Sequence, residues 1–78
     1  MAIRMGLDLV LMQKRMSLVE LSDRVGITVA NLELLRDGHA RALRLSTLDA
    51  LCRELGCQPG DLLSFAPGPM EHPELLDD

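Results

Sequence analysis

Aromatic residues are almost missing from this chain: Phe65 is the single one in 78 residues, with no Trp or Tyr. A β-sandwich fills its strands with aromatic and β-branched side chains, so a core of Leu, Val, Ile and Met suits a helix bundle instead. Long apolar runs are missing too. None approaches the roughly 18 residues that span a bilayer, so no membrane segment is expected. The N-terminus has no apolar stretch followed by a small-residue cleavage site, so no secretion signal is expected and the expected compartment is the cytoplasm. Cysteine is scarce. Cys52 and Cys57, separated by four residues among leucines, lack the spacing of a zinc site and are expected to behave as small apolar residues rather than as a disulfide.

An excess of positive charge is also missing, since the formal net charge is −4. Its distribution matters more than its size. Residues 1–65 hold eight basic side chains (Arg4, Lys14, Arg15, Arg24, Arg36, Arg41, Arg44, Arg53) and eight acidic ones (Asp8, Glu20, Asp23, Glu33, Asp37, Asp49, Glu54, Asp61). The whole deficit lies in Glu71, Glu74, Asp77 and Asp78. The folding part is therefore neutral, and the electrostatic share of any nucleic-acid affinity is expected to be modest. A chain of this length makes one domain with a small core. Residues 1–65 are assigned to that domain. After Phe65, Ala66-Pro67-Gly68-Pro69 breaks any helix. The acidic stretch beyond is too poor in apolar residues to fold alone, so residues 66–78 are expected to be a mobile tail.

What is present is a pair of short helices joined by a tight turn, spelled by residues 16–38. Ser17 can cap the first, with Glu20 three residues later able to complete a capping box. Gly26 supplies the left-handed backbone that ends this helix, and Thr28 can cap the next, which stops near Gly38. Ser22 is small enough for close approach, while Leu21, Val25, Ile27, Leu32 and Leu35 point inward at helical spacing. Two capped helices of this length around a Gly-containing turn form a helix-turn-helix signature, whose second helix fits a DNA major groove.

Three further helices complete the pattern, giving expected spans of 7–15, 18–25, 29–37, 47–55 and 59–64. Leu7, Val10, Leu11 and Lys14 line one stripe of the first, and Leu9 and Met12 fall off it. Ser46-Thr47-Leu48-Asp49 resembles a cap for the fourth helix, which Gly56 closes and whose inward stripe is Leu48, Leu51, Cys52 and Leu55. Pro59 suits the first turn of the fifth. The apolar/basic alternation of Ile3-Arg4-Met5 matches one ending at Leu43-Arg44-Leu45, and two such fragments can pair as a minimal two-stranded ribbon. The expected fold is all-α, with five helices around one core.

Five pieces of this sequence together carry a family resemblance: Met16-Ser17-x-x-Glu20-Leu21-Ser22, Val25-Gly26-Ile27-Thr28, Leu32-x-x-Leu35-Arg36-Asp37-Gly38, Thr47-Leu48-x-x-Leu51-Cys52 and Leu55-Gly56-Cys57-Gln58-Pro59-Gly60-Asp61-Leu62-Leu63. Over residues 3–65 the chain resembles the Xre family of phage-repressor-like, Cro-like helix-turn-helix transcriptional regulators, in its short single-domain form. The resemblance implies a five-helix domain that binds duplex DNA as a homodimer without a cofactor or metal. It places Thr28, Val29, Ala30, Asn31 and Leu34 toward the groove, with Ser17, Leu18, His39, Arg41 and Arg44 near the phosphates. The chain departs from the family's usual residues in having Leu18 where Gln commonly holds a phosphate. It also has apolar Val29, Ala30 and Leu34 on the reading face, and His39 where Lys is frequent.

Each of these residues also has a plainer role. Asn31 can bond adenine through two hydrogen bonds, or satisfy backbone groups in the first turn of its helix. Arg41 and Arg44 can hold phosphates or remain solvated surface. Val29 and Leu34 can touch thymine methyls or, with Leu9, Met12, Leu18 and Val19, form an apolar contact surface. Ile3, Met5, Leu9 and Met12 are the candidate dimer interface. His39 and His72 have no Cys or His partner at ligand spacing. The Ser17/Glu20 and Ser46/Asp49 sets are explained by capping, so no catalytic constellation remains. A second function fits the same residues: a protein-interaction module of antitoxin or anti-repressor type, favoured by the apolar recognition helix and the acidic tail.

Overall fold

A computed structural model describes residues 3–67. The tail expected over 66–78 falls, from residue 68 onward, outside the described residues. The order is β1 (Ile3–Met5), α1 (Leu7–Lys14), α2 (Leu18–Val25), α3 (Val29–Arg36), α4 (Leu45–Leu55), α5 (Pro59–Leu62) and β2 (Leu63–Phe65). This is the expected all-α architecture of five helices, with one small ribbon added.

The core is almost pure leucine. Leu7, Val10 and Leu11 of α1 meet Leu21, Leu32, Leu35, Leu48, Leu51, Leu55 and Leu62 in one buried cluster. All ten come from positions three or four apart within their helices or from single anchoring sites, which is the periodicity a helix needs to present one apolar face. Val25, Ile27 and Cys52 of the expected inward set are only half-buried, packed at the margin of the cluster. Lys14, at the end of the α1 stripe, is exposed.

The ribbon has a different partner from the one the alternation suggested. β1 pairs antiparallel with β2, in the register Ile3↔Phe65, Arg4↔Ser64 and Met5↔Leu63. Gly6 continues the ladder by donating its N–H to the Leu62 carbonyl at 2.6 Å. A Cβ at Gly6 would stand 3.3 Å from the Asp61 carbonyl, so the absence of a side chain there permits the approach. Residues 43–45 cannot serve as the second strand because α4 begins at Leu45, with Arg44 as its N-cap. That start is two residues earlier than expected. Ser46 makes no capping bond, and Asp49 instead accepts from Arg53 at 3.0 Å. The fifth helix is correspondingly shorter than 59–64. It is held by the Gln58 N–H bonded to Asp61 Oδ2 at 2.9 Å, and Leu63 leaves it in extended backbone to enter β2.

All four longer helices have a left-handed residue at their C-terminal end or just beyond it, and in three of them it is glycine. Gly26 (φ 73°) ends α2, Gly38 (φ 78°) follows α3, and Gly56 (φ 63°) ends α4. At α1 the residue is Arg15, φ 55°, the one non-glycine with positive φ among the described residues. Its N–H bonds the Met12 carbonyl, and that of Met16 bonds Leu11. The pattern is a Schellman ending, normally made by glycine.

Because a side chain in this region costs about 1 kcal/mol that glycine avoids, Arg15→Gly is expected to raise the urea midpoint by an equivalent amount. Gly26→Val, placing a β-branched residue at positive φ, should lower stability by more than about 1 kcal/mol. A drop for Arg15→Gly would mean that its exposed side chain makes an offsetting contribution.

Candidate nucleic-acid interface

The turn between α2 and α3 is built from short polar side chains. Ser17 Oγ accepts the Glu20 N–H at 3.1 Å, which caps α2. The return half of the expected capping box is replaced by a pair within the helix, Arg24 to Glu20 Oε2 at 2.7 Å. Thr28 Oγ1 accepts the Asn31 N–H at 3.2 Å and caps α3. Between the two caps, the Ser22 hydroxyl donates to the Ile27 carbonyl at 2.6 Å. The residue valued in the sequence only for its small size therefore also ties the first helix to the start of the second.

On α3, Ala30, Asn31 and Leu34 are exposed and Val29 is half-buried. Thr28 and Ser17 are exposed at their caps, whereas Leu18 is half-buried and packed against the leucine cluster. Past α3 the chain turns at Gly38, where the His39 N–H bonds the Leu34 carbonyl at 2.9 Å. The following loop folds back beside the helix. Asn31 and Leu34 then line one open groove of about 440 Å³ together with Arg41, Arg44 and Thr47. Four of the candidate residues thus converge on a single concave surface. Ser17, Leu18, Thr28, Val29, Ala30 and His39 do not line it.

The charges near this groove differ in availability. Arg36, at the end of α3, forks onto Asp37, with Nε to Oδ1 at 2.9 Å and a second bond to Oδ2 at 3.3 Å. These bonds raise the Arg36 pKa, and they hold the Asp37 carboxyl below its ordinary value, with a smaller contribution from His39. Arg41 and Arg44 are exposed and have no carboxylate partner among the described residues. Arg4, Lys14 and Arg15 are likewise exposed and unpaired among the described residues, but they do not line the groove.

Apolar side chains stand exposed on several other surfaces. Ile3 and Leu9 are about half-exposed, and Met12 is 75% exposed. Met5, grouped with them in the candidate dimer interface, is half-buried against the core. Leu45 at 81% and Phe65 at 66% are exposed without having been candidates. The signal for Phe65 was the two-residue period of Leu63-Ser64-Phe65, obscured by the helix expected to run through it. Among the described residues no group of three or more His, Cys, Asp or Glu could hold a metal ion, and no helix is long and apolar enough to cross a membrane.

A capped helix pair, a small hydroxyl bridge across its turn and a helix with an adjoining cationic loop define the class of helix-turn-helix DNA-binding domains. Residues 6–68 match the family model of the Cro/C1-type HTH DNA-binding domain. The chain is also 55% identical over 65 residues to the uncharacterized HTH-type transcriptional regulator YozG of Bacillus subtilis (strain 168), a match covering 83% of this chain and 77% of that one. The chain belongs to the Cro/C1-type helix-turn-helix family of transcriptional regulators, which is not an enzyme class.

The Arg36–Asp37 fork has a titration signature. Since the folded Asp37 pKa lies below its unfolded value, the pair's contribution is complete above about pH 4, the ordinary carboxyl range. It fades as pH falls through the depressed folded value. Carboxyl NMR should find Asp37 titrating below ordinary exposed aspartates, and Arg36→Ala should return it to their range. An unchanged Asp37 titration in Arg36→Ala would assign the shift to another cause.

Proposed function

We propose that the chain is a small cytoplasmic regulator that binds duplex DNA sequence-specifically as a homodimer, with α3 in the major groove. The observation that carries this reading is the groove shared by Asn31, Leu34, Arg41 and Arg44. It sets an amide suited to base reading beside two cations that have no carboxylate partner among the described residues. In the proposed complex Asn31 bonds an adenine edge, while Val29, Ala30 and Leu34 contact thymine methyls. Thr28 and Ser17 lie close to the backbone at their helix N-termini, and Leu18 packs beneath. His39, Arg41 and Arg44 hold phosphates, which position the helix without specifying sequence. One such helix buries too little surface for tight binding, so a two-fold pair supplies the remaining area.

A second reading, a protein-interaction module on the same fold, is favoured by one observation. Leu34, at the centre of the presumed reading face, is apolar and 46% exposed. A salt-titrated gel shift against the promoter region of the chain's own operon, with a random duplex as control, separates the two. Binding that prefers the promoter supports the regulator; no shift at low salt supports the module.

The phosphate and base roles give opposite patterns. Arg41→Ala should weaken binding to all duplexes about equally and flatten its salt dependence by about one unit. Asn31→Ala should relax preference at one base pair, with a discrimination loss of about 1–3 kcal/mol. Equal losses on promoter and random DNA for Asn31→Ala would remove it from the base-reading set.

For the dimer, the proposed surface is Ile3, Met5, Leu9 and Met12, with Ile3 on an edge strand whose outer backbone groups have no strand partner among the described residues. The competing surface is Leu18, Val29 and Leu34. Sedimentation of Leu9→Glu/Met12→Glu should give a monomer, and Leu34→Glu a dimer. The reverse pattern would place the contact on the DNA face, and a monomeric wild type would exclude both surfaces.

A further inference from the structure

Cys52 and Cys57 take no part in the proposed DNA interface, yet the end of α4 brings them together. Gly56 turns the chain back in a left-handed conformation, and the Cys57 N–H bonds the Cys52 carbonyl at 3.1 Å. These are the two positions at which a helix C-terminal cap commonly sets one side chain against another. Covalent geometry then limits the Cα separation to at most about 7 Å, and to less once the bond angles are bent. Disulfides span roughly 4.4–6.8 Å between Cα atoms. Both thiols are free, both are half-buried, and both line the same open cleft of about 500 Å³ with Asp49, Arg53 and Pro59. That cleft gives a small reagent a route to the sulfurs.

We propose that Cys52 and Cys57 form a dithiol redox site, which a low-molecular-weight disulfide converts into an intramolecular Cys52–Cys57 disulfide. In the first step the Cys52 thiolate attacks one sulfur of the incoming disulfide. A mixed disulfide forms on Cys52, and one small thiol leaves. In the second, Cys57 gives its proton to solvent and attacks the Cys52 sulfur, forming the protein disulfide and expelling the second small thiol. Two protein thiols are oxidised and one small disulfide is reduced to two thiols, so the exchange balances without a metal or further oxidant. The order follows from surroundings. Burial first, and the adjacent Cys52 next, raise the Cys57 pKa, with Asp61 adding to the effect and Lys14 opposing it. A raised pKa lowers the share of Cys57 thiolate available to attack an external disulfide, which suits Cys57 to the second, intramolecular step. In a reducing compartment the pair rests as dithiol, and the bond forms only under oxidising conditions.

The test uses the full reduced chain, native at neutral pH, exposed to oxidised glutathione and followed by intact mass and by counting alkylatable thiols. The expected product is a chain lighter by two hydrogens, with both thiols lost to alkylation and no cross-link to a second chain. Cys57→Ser should instead retain one glutathione on Cys52. If that variant is unfolded, the wild-type measurement decides alone. A wild type that keeps one or two stable glutathiones, forms a disulfide-linked dimer, or reacts only after denaturant is added would overturn the proposal.

Discussion

The orientation of α3 is set by a turn of three residues, and most of what surrounds it follows from that turn. Gly26 adopts the left-handed region, Ile27 places its carbonyl against the Ser22 hydroxyl at 2.6 Å, and Thr28 caps the new helix. Such a bond, made in a part-buried place, contributes on the order of 1 kcal/mol net, and leaving its carbonyl unpaired would cost more. Its geometric consequence is larger than its energy. With the turn held, Leu21 before it and Leu32 after it both reach full burial in the same leucine cluster. With α3 thus aimed, the loop that leaves it at Gly38 carries Arg41 and Arg44 beside Asn31.

Charge in this molecule is arranged by subtraction. Glu20, Asp37 and Asp49 each take an arginine of their own or an adjoining helix turn, removing Arg24, Arg36 and Arg53 from free circulation. Exposed pairs of this kind contribute only about 0.2–1 kcal/mol each to stability. Their effect is on the field outside the protein, because a guanidinium already paired presents little net charge to a distant anion. A neutral domain can therefore still show localised positive charge where Arg41 and Arg44 line one groove without carboxylate partners among the described residues.

Helix positions were largely legible in the sequence because caps and apolar spacing are local signals. Ser17, Gly26, Thr28 and Gly56 mark boundaries that coincide with the structure. The errors arose where a local pattern met a distant partner. Leu43-Arg44-Leu45 alternates like a strand, but Leu45 is the first residue of α4 and takes its conformation from the helix ahead. Leu63-Ser64-Phe65 follows a helical turn, yet becomes a strand because Ile3–Met5 lies alongside. Candidate interface residues could be named one by one. The way the loop after α3 gathers Asn31, Leu34, Arg41 and Arg44 was not legible, since nothing local fixes how a loop folds back. Burial of Leu18 likewise depended on packing from elements far away in sequence.

The ribbon joins the two extremities of the described fold, pairing Ile3 with Phe65. Contacts among α1, α2, α3 and α4 can begin before the last residues of the fold are made, since helices form from nearby residues. β1 cannot. During synthesis its backbone groups wait, unpaired and fringed by Ile3 and Met5, until Phe65 has left the ribosome. Gly6 waits with them, because its N–H finds the Leu62 carbonyl only at the same late moment. A pause between the end of α4 and residue 65 would leave a nearly complete helical body with an open strand, the form most apt to pair with the wrong chain. The smallest element of the fold is thus the one whose two strands are made furthest apart in time.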